Sequence, residues 1–217
     1  MDFIAPAWPA PVNVSAWVSL RSLGDMAGEG RRMIQRLLPG EPVWMRQVHG
    51  TAVVEADSRP DFPQGDAAVA RTRGAVCAVM IADCMPVFMT DAAGTMVAVA
   101  HAGWRGLAAG VIEATIDATK IDASGILSWL GPAIGPKVYE VGEEVRAAFA
   151  GYETAFVATR PGHWLLDLYA VARQRLERRG VRRVYGGGFC TYSDPERFFS
   201  YRRDRTAARM AAAIWLT

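Results

Sequence analysis

Apolar residues fall into two textures along this chain. Ala75-Val-Cys-Ala-Val-Met-Ile-Ala82 and Thr95 to Ala100 are near-continuous apolar runs of strand length, bounded by Gly74 and Gly94. Such runs predict strands covered on both faces rather than on one. Val12 to Leu20, Val43 to Val48, Ala52 to Glu55, Ile126 to Leu130 and Val181 to Tyr185 read as further short strands. Elsewhere apolar positions recur at helical spacing. Leu165, Leu168, Ala172 and Leu176 mark a helix over Leu168 to Arg179, with Asp167 as its cap and Gly180 as its stop. Helices are also predicted from Asp25 to Leu38, ended by Pro39-Gly40, over Leu107 to Thr119, over Val141 to Ala150, and over Thr206 to Trp215 as a closing element. The alternation is that of an α/β protein, and 217 residues suit one large domain or two small ones.

Composition narrows the class. A 51% hydrophobic and 21% charged chain is ordinary for a soluble enzyme. The net charge of +2 gives no argument for nucleic acid. Basic residues gather at Arg173 to Arg183 and at Arg202 to Arg209, the first interleaved with helix-period apolar positions and so read as a solvated helix face. Ala75 to Ala82 is far short of the roughly 20 residues of a membrane span. Met1-Asp2-Phe3-Ile4-Ala5-Pro6 lacks the basic start of a signal peptide, and three cysteines make an odd count with no disulfide-framework spacing. A cytoplasmic protein without membrane or nucleic-acid partners is expected.

The candidate chemistry lies where apolar runs end. Cys84, in Ala82-Asp83-Cys84-Met85-Pro86, and His101, in His101-Ala-Gly-Trp-Arg-Gly106, each follow a buried strand candidate, and His49 follows Val43 to Val48. Two histidines and a cysteine are a donor set that a catalytic zinc takes while leaving a fourth position open. Gly103 and Gly106 permit close backbone approach, and Arg105 in the same turn suits a phosphate or carboxylate. Asp83 is placed as an orienting group or general base. Cys84 could equally be a nucleophile activated by either histidine, since one thiolate serves both chemistries. Cys77 in mid-strand reads as a small hydrophobe, and His163 as loop punctuation. Gly186-Gly187-Gly188 reads as a plain loop, and Cys190 is the candidate fourth ligand of a closed site, though more in keeping with a pocket or core position.

Several of these motifs stand together in one order: Gln47 to Gly50, Ala82 to Val87, His101 to Gly106, Leu130-Gly-Pro-Ala-Ile-Gly135 with Tyr139-Glu140-Val141-Gly142, and Cys190-Thr191 with Phe198 to Asp204. The set resembles the YfiH family, the bacterial laccase-domain group also called polyphenol oxidase or peptidoglycan editing factor. The resemblance implies a single domain over 1–217, a layered α/β/β/α arrangement with mixed sheets, and one metal site on His49, Cys84 and His101. It implies a monomeric purine nucleoside phosphorylase acting on adenosine, inosine and methylthioadenosine, with metal-dependent adenosine deamination. Its partners would be nucleoside and phosphate, and its cofactor one zinc ion, with copper as the competing ion at the same site. A zinc there suits activation of water toward C6 of adenine. Arg105 and Arg202, with Gln47, are the expected substrate and phosphate contacts. Two other functions are open: a cysteine-nucleophile amidase editing cell-wall precursors, and a copper-dependent polyphenol oxidase. Against a four-copper enzyme, one blue-copper centre would use His49, Cys84 and His101 and leave only His163. The chain departs from the family pattern at Val18 to Asp25, where a glycine-rich loop is missing, and at Thr206 to Met210.

Overall fold

A computed structural model describes residues 2–58 and 60–217. Two mixed sheets lie face to face. The five-stranded sheet runs in the order β1 (Phe3–Ile4), β2 (Val14–Ser19), β14 (Met210–Leu216), β6 (Val76–Ile81), β3 (Pro42–Val43). The six-stranded sheet runs β13 (Arg183–Gly186), β9 (Ile126–Leu130), β7 (Met85–Asp91), β8 (Val97–Ala102), β5 (Ala67–Ala70), β4 (Val53–Glu55). A small antiparallel sheet of β10 (Glu140–Gly142), β12 (His163–Leu166) and β11 (Phe156–Arg160) completes the strands. The helices are α1 (Glu29–Gln35), α2 (Trp104–Ala109), α3 (Val111–Thr119), α4 (Glu143–Ala147), α5 (Leu168–Arg178) and α6 (Tyr201–Asp204). None of them is long and apolar enough to cross a membrane.

Strand alternation explains the layering. Along β6, Cys77, Val79 and Ile81 enter the core between the two sheets, while Val76 and Ala78 face a second core shared with Ile34 of α1. Along β8, Val97 and Val99 meet that inter-sheet core, while Ala98, Ala100 and Ala102 face a third core built on α3 and α5. Three apolar interlayers separate four layers, which is the expected α/β/β/α arrangement. The near-continuous apolar runs follow directly, because both faces of β6 and β8 are covered.

Several boundaries differ from the sequence expectation. The closing helix over Thr206 to Trp215 is instead strand β14, paired with β2 on one side and β6 on the other. Its alanines favour a helix locally, but Ala211 and Ala213 pack toward α1 while Met210, Ala212 and Ile214 pack between the sheets. Period-two burial on two sides overrides propensity there. The helix over Leu107 to Thr119 begins at Trp104 and is divided by Gly110, whose φ of 99° only glycine adopts cheaply. Val141 to Ala150 opens as strand β10 before α4, and the helix after Asp25 is confined to α1. His163 begins β12 rather than punctuating a loop.

The basic face of α5 is solvated as expected at Arg173, Arg178 and Arg179, and Arg175 is the exception. Arg175 is mostly buried and pairs with Glu113 at 2.6 Å, Arg178 lies 4.1 Å over the Tyr152 ring, and Arg173 donates to the carbonyl of Gly186. These arginines tie α5 to its neighbours.

Candidate active site

Three side chains converge at one end of the inter-sheet layer. By register His101, opposite Pro86 of β7, lies on the same face of β8 as Val97 and Val99. Cys84 sits in the tight turn Ala82–Cys84 that joins β6 to β7. His49 comes from the loop before β4. The ligand atoms of His49, Cys84 and His101 all lie within 4.8 Å of one another, and the two imidazole centroids are 5.0 Å apart. Among the described residues no other group of three such side chains converges.

The backbone is shaped around this cluster. A Cβ on Gly103 would fall 2.6 Å from Cys84 Sγ and 3.3 Å from the His49 ring, so only glycine lets α2 begin where it does. His49 is held in the left-handed region at φ 60°. What holds it is Asp66, a residue that sequence reasoning missed. Asp66 is fully buried just before β5, and its Oδ2 accepts from Val48 N at 3.0 Å and Gly50 N at 2.8 Å. Its Oδ1 accepts from His49 N at 2.9 Å and lies 2.9 Å from His101 Nδ1. A carboxylate only accepts, so His101 donates from Nδ1, which leaves Nε2 as the nitrogen available to the cluster. The only sequence signal for Asp66 was a lone acid opening the apolar run Ala67 to Ala70.

The electrostatics are those of a thiolate beside imidazoles. Burial alone would raise the Cys84 thiol, but His101 and then His49 outweigh it and pull it well below the usual thiol range. Burial likewise opposes charge on His101, while Cys84 and Asp66 push it up. Thiolate and imidazole nitrogens are borderline-soft donors that suit zinc or copper, and the Asp66–His101 bond is the usual support of a metal-bound histidine. The residues therefore fit the implied metal.

The cluster forms the floor of a cavity of about 740 Å³, walled by Trp104, Tyr139 and the guanidinium groups of Arg105 and Arg202. Arg202 lies 5.0 Å over the Tyr139 ring and donates from Nη1 to the Glu140 carbonyl. Asp83 holds a φ of 79°, and its two oxygens are taken by the Thr191 hydroxyl at 2.6 Å and the Arg202 amide at 2.7 Å. It ties the cysteine turn to the C-terminal motif. Gln47 lines the cavity, but both ends of its amide are bound to the backbone of Met80, at 2.9 and 2.7 Å. Cys190 stands apart from the cluster, with Sγ 3.2 Å from Gly135 N and 3.2 Å from Ser193 Oγ. Cys77 is fully buried between the sheets, and burial raises its thiol far above the usual range. Gly186 and Gly187 hug the Leu130 carbonyl at the end of β13, as a plain connecting loop.

Residues 25–217 match the family described as multi-copper polyphenol oxidoreductase laccase. The chain belongs to this laccase-domain family, the YfiH family. Purine nucleoside phosphorylase YfiH of Escherichia coli is 45% identical over 238 aligned residues, covering 98% of each chain. A purine nucleoside phosphorylase of Pseudomonas aeruginosa is 44% identical, covering 99% of this chain and 98% of its own. Among solved structures, a Neisseria meningitidis protein superposes with a TM-score of 0.95 at 41% identity, covering 100% of this chain and 99% of that one. YlmD from Geobacillus stearothermophilus superposes at 0.89 with 26% identity, covering 100% of this chain and 96% of its own.

Proposed function

We propose that this enzyme is a purine nucleoside phosphorylase acting on adenosine, inosine and methylthioadenosine, with a metal-dependent adenosine deaminase activity at the same site. The observation that carries the reading is the convergence of His49, Cys84 and His101 beneath two guanidinium groups, in a chain 44–45% identical to relatives named purine nucleoside phosphorylase. Phosphorolysis needs a docked phosphate beside C1′ of the ribose. One phosphate oxygen attacks C1′, the C1′–N9 bond breaks, and the purine leaves with the electron pair and takes up a proton. Arg105 and Arg202 are the groups that hold the phosphate, since a guanidinium matches its oxygens in a fork. Gln47, with its amide committed to Met80, acts as a clip that fixes the His49 segment. Asp83, with both oxygens engaged, orients the Cys84 turn and Arg202 rather than serving as a free base. His49, Cys84 and His101 would hold one zinc ion, or copper in its place. When bound, the metal supplies Lewis-acid chemistry toward water for the deaminase activity. The enzyme is read as a cytoplasmic monomer with small-molecule partners.

Incubating zinc-loaded protein with adenosine, with and without phosphate, tests the reading. Phosphate-dependent adenine and ribose-1-phosphate, and inosine formed without phosphate, are expected, and both are lost in Cys84→Ala. No turnover of adenosine, inosine or methylthioadenosine would refute it. A second reading, Cys84 as the nucleophile of an amide hydrolase, rests on the lowered Cys84 thiol. Inactivation by a thiol alkylator but not by a chelator would favour it.

A further inference from the structure

The cavity carries more positive charge than one phosphate and a neutral nucleoside require. Besides Arg105 and Arg202, Arg46, Arg205 and Arg209 line it. Among the described residues none of these five guanidinium groups forms an ion pair. The only carboxylate of the lining among the described residues is Asp83, whose oxygens are already engaged. Five guanidinium groups outnumber the acidic groups of the lining, Asp83 and Cys84, and such an excess of like charge is costly in the empty site and favourable when a polyanion enters.

Arg46 is engaged by the Gln64 side chain, and the other four arginines fall into two pairs. Arg105 and Arg202 stand beside Trp104 and Tyr139, next to Cys84. Arg205 and Arg209 instead flank the half-exposed Tyr201, with their guanidinium carbons 5.8 and 5.7 Å from its ring centre. Backbone geometry places Arg205, and hydrogen bonds hold the Arg209 side chain. Arg205 caps α6 in the left-handed region at φ 56°, a position where glycine would be the low-cost residue. Arg209 donates from Nη1 to the carbonyls of Thr206 and Ala208, which fixes one edge of its guanidinium and leaves the other edge for a ligand.

We infer that Arg205 and Arg209 form a second anion subsite beside Tyr201, which takes the phosphate of a 5′-phosphorylated purine nucleoside. This rests on the nucleoside reading of the site and extends its ligands from nucleosides to nucleoside monophosphates. The inner arginines then keep inorganic phosphate, and the outer pair reads the phosphate that the ligand itself carries.

Calorimetric titration of the zinc-loaded full chain with adenosine 5′-monophosphate and with adenosine, at low salt, tests it. The monophosphate is expected to bind at least about tenfold more tightly. In the double variant Arg205→Ala/Arg209→Ala the two affinities should fall within about threefold of each other, and Arg205→Lys/Arg209→Lys should restore part of the difference. Using the ratio cancels any general loss of folded protein. Equal affinities in the wild type overturn the subsite, as does an advantage that survives in the double alanine variant. Saturating inorganic phosphate separates the two anion sources. An advantage that it abolishes places the monophosphate at Arg105 and Arg202, which also overturns the inference. If adenosine is turned over but the monophosphate has no advantage, only this inference falls. If neither purine ligand binds, the nucleoside reading falls with it.

Discussion

Replacing Asp66 by asparagine should damage the candidate metal site without removing any of its ligands. The aspartate accepts four hydrogen bonds, two on each oxygen. An isosteric amide keeps only one accepting oxygen. If that oxygen faces His101, the amide NH2 is aimed at the N–H groups of Val48 and Gly50. If it faces the loop, the NH2 is aimed at His101 Nδ1 and favours the tautomer protonated on Nε2, which cannot bind a metal. Either outcome costs the site. In the first case two partly buried donors are left unpaired at about 1–3 kcal/mol each, so the loss is at most roughly 2–6 kcal/mol. At about 2–4 °C per kcal/mol for a chain of this size, melting should fall by roughly 5–20 °C. Loss of a carboxylate behind a ligating histidine typically weakens metal affinity by about 10–100-fold.

The assay is zinc competition against a chelating dye, with thermal unfolding of zinc-free and zinc-loaded protein beside it. A variant that binds zinc within about threefold of wild type and melts within about 2 °C of it would show that Asp66 neither sets the His101 tautomer nor holds the histidine loop. A variant with lowered melting and unchanged zinc affinity would confine its role to the loop.

Other outcomes follow from the packing. Gly103→Ala puts a methyl 2.6 Å from Cys84 Sγ, so it should lower zinc affinity and activity while most of the fold persists, read by dye competition and circular dichroism. Phe88 is fully buried and stacks on Trp129 with centroids 5.7 Å apart. Phe88→Ala should cost about 3–5 kcal/mol, measured as a drop in urea midpoint at unchanged slope. Asp91 is nearly buried. Burial opposes its charge, but hydrogen bonds from Thr95 and Met96 outweigh this and hold its carboxyl below the usual range. With a folded pKa below the unfolded value of about 3.9, its stabilisation is complete above that value and disappears as pH falls through the folded one. Denaturant unfolding between about pH 5 and pH 3 should therefore be steeper in pH for wild type than for Asp91→Asn, and parallel curves would refute the assignment.

The legible parts of the fold are those whose burial alone explains their sequence. β6 and β8 announce themselves because each side of each strand is covered, and α5 because its cap, stop and apolar stripe agree. β14 misleads because Met210-Ala-Ala-Ala-Ile214 has helical propensity, and only its two neighbouring strands make it extended. β7 escapes notice although every residue of it is buried, because Pro86, Thr90 and Asp91 interrupt the apolar run. Asp91 is there to cap the β7–β8 turn through Thr95 and Met96. The converging side chains His49, Cys84 and His101 were readable as rare residues at the ends of apolar runs. Asp66 was not, because nothing in a single aspartate before Ala67 says that its carboxylate points inward.

That difference also explains how the site is preorganised. The three converging side chains come from segments far apart in sequence, and two of the local conformations, His49 at φ 60° and Asp83 at φ 79°, are ones a side chain does not adopt for free. Each is fixed by hydrogen bonds to a segment distant in sequence. Asp66, opening β5, binds the His49 loop and the His101 ring, Gln47 binds the β6 backbone at Met80, and Asp83 binds Thr191 and Arg202. The Asp66 and Gln47 clips end on strands of the packed layers, and the Asp83 clip ends on the buried Thr191 and on α6. The positions of the donor atoms are therefore set by the cores on either side of the six-stranded sheet, not by the short loops that carry them. A substitution in a clip should then disturb the donor cluster more than a substitution of similar size on the cavity wall, because the clip acts on the backbone that aims the ligands.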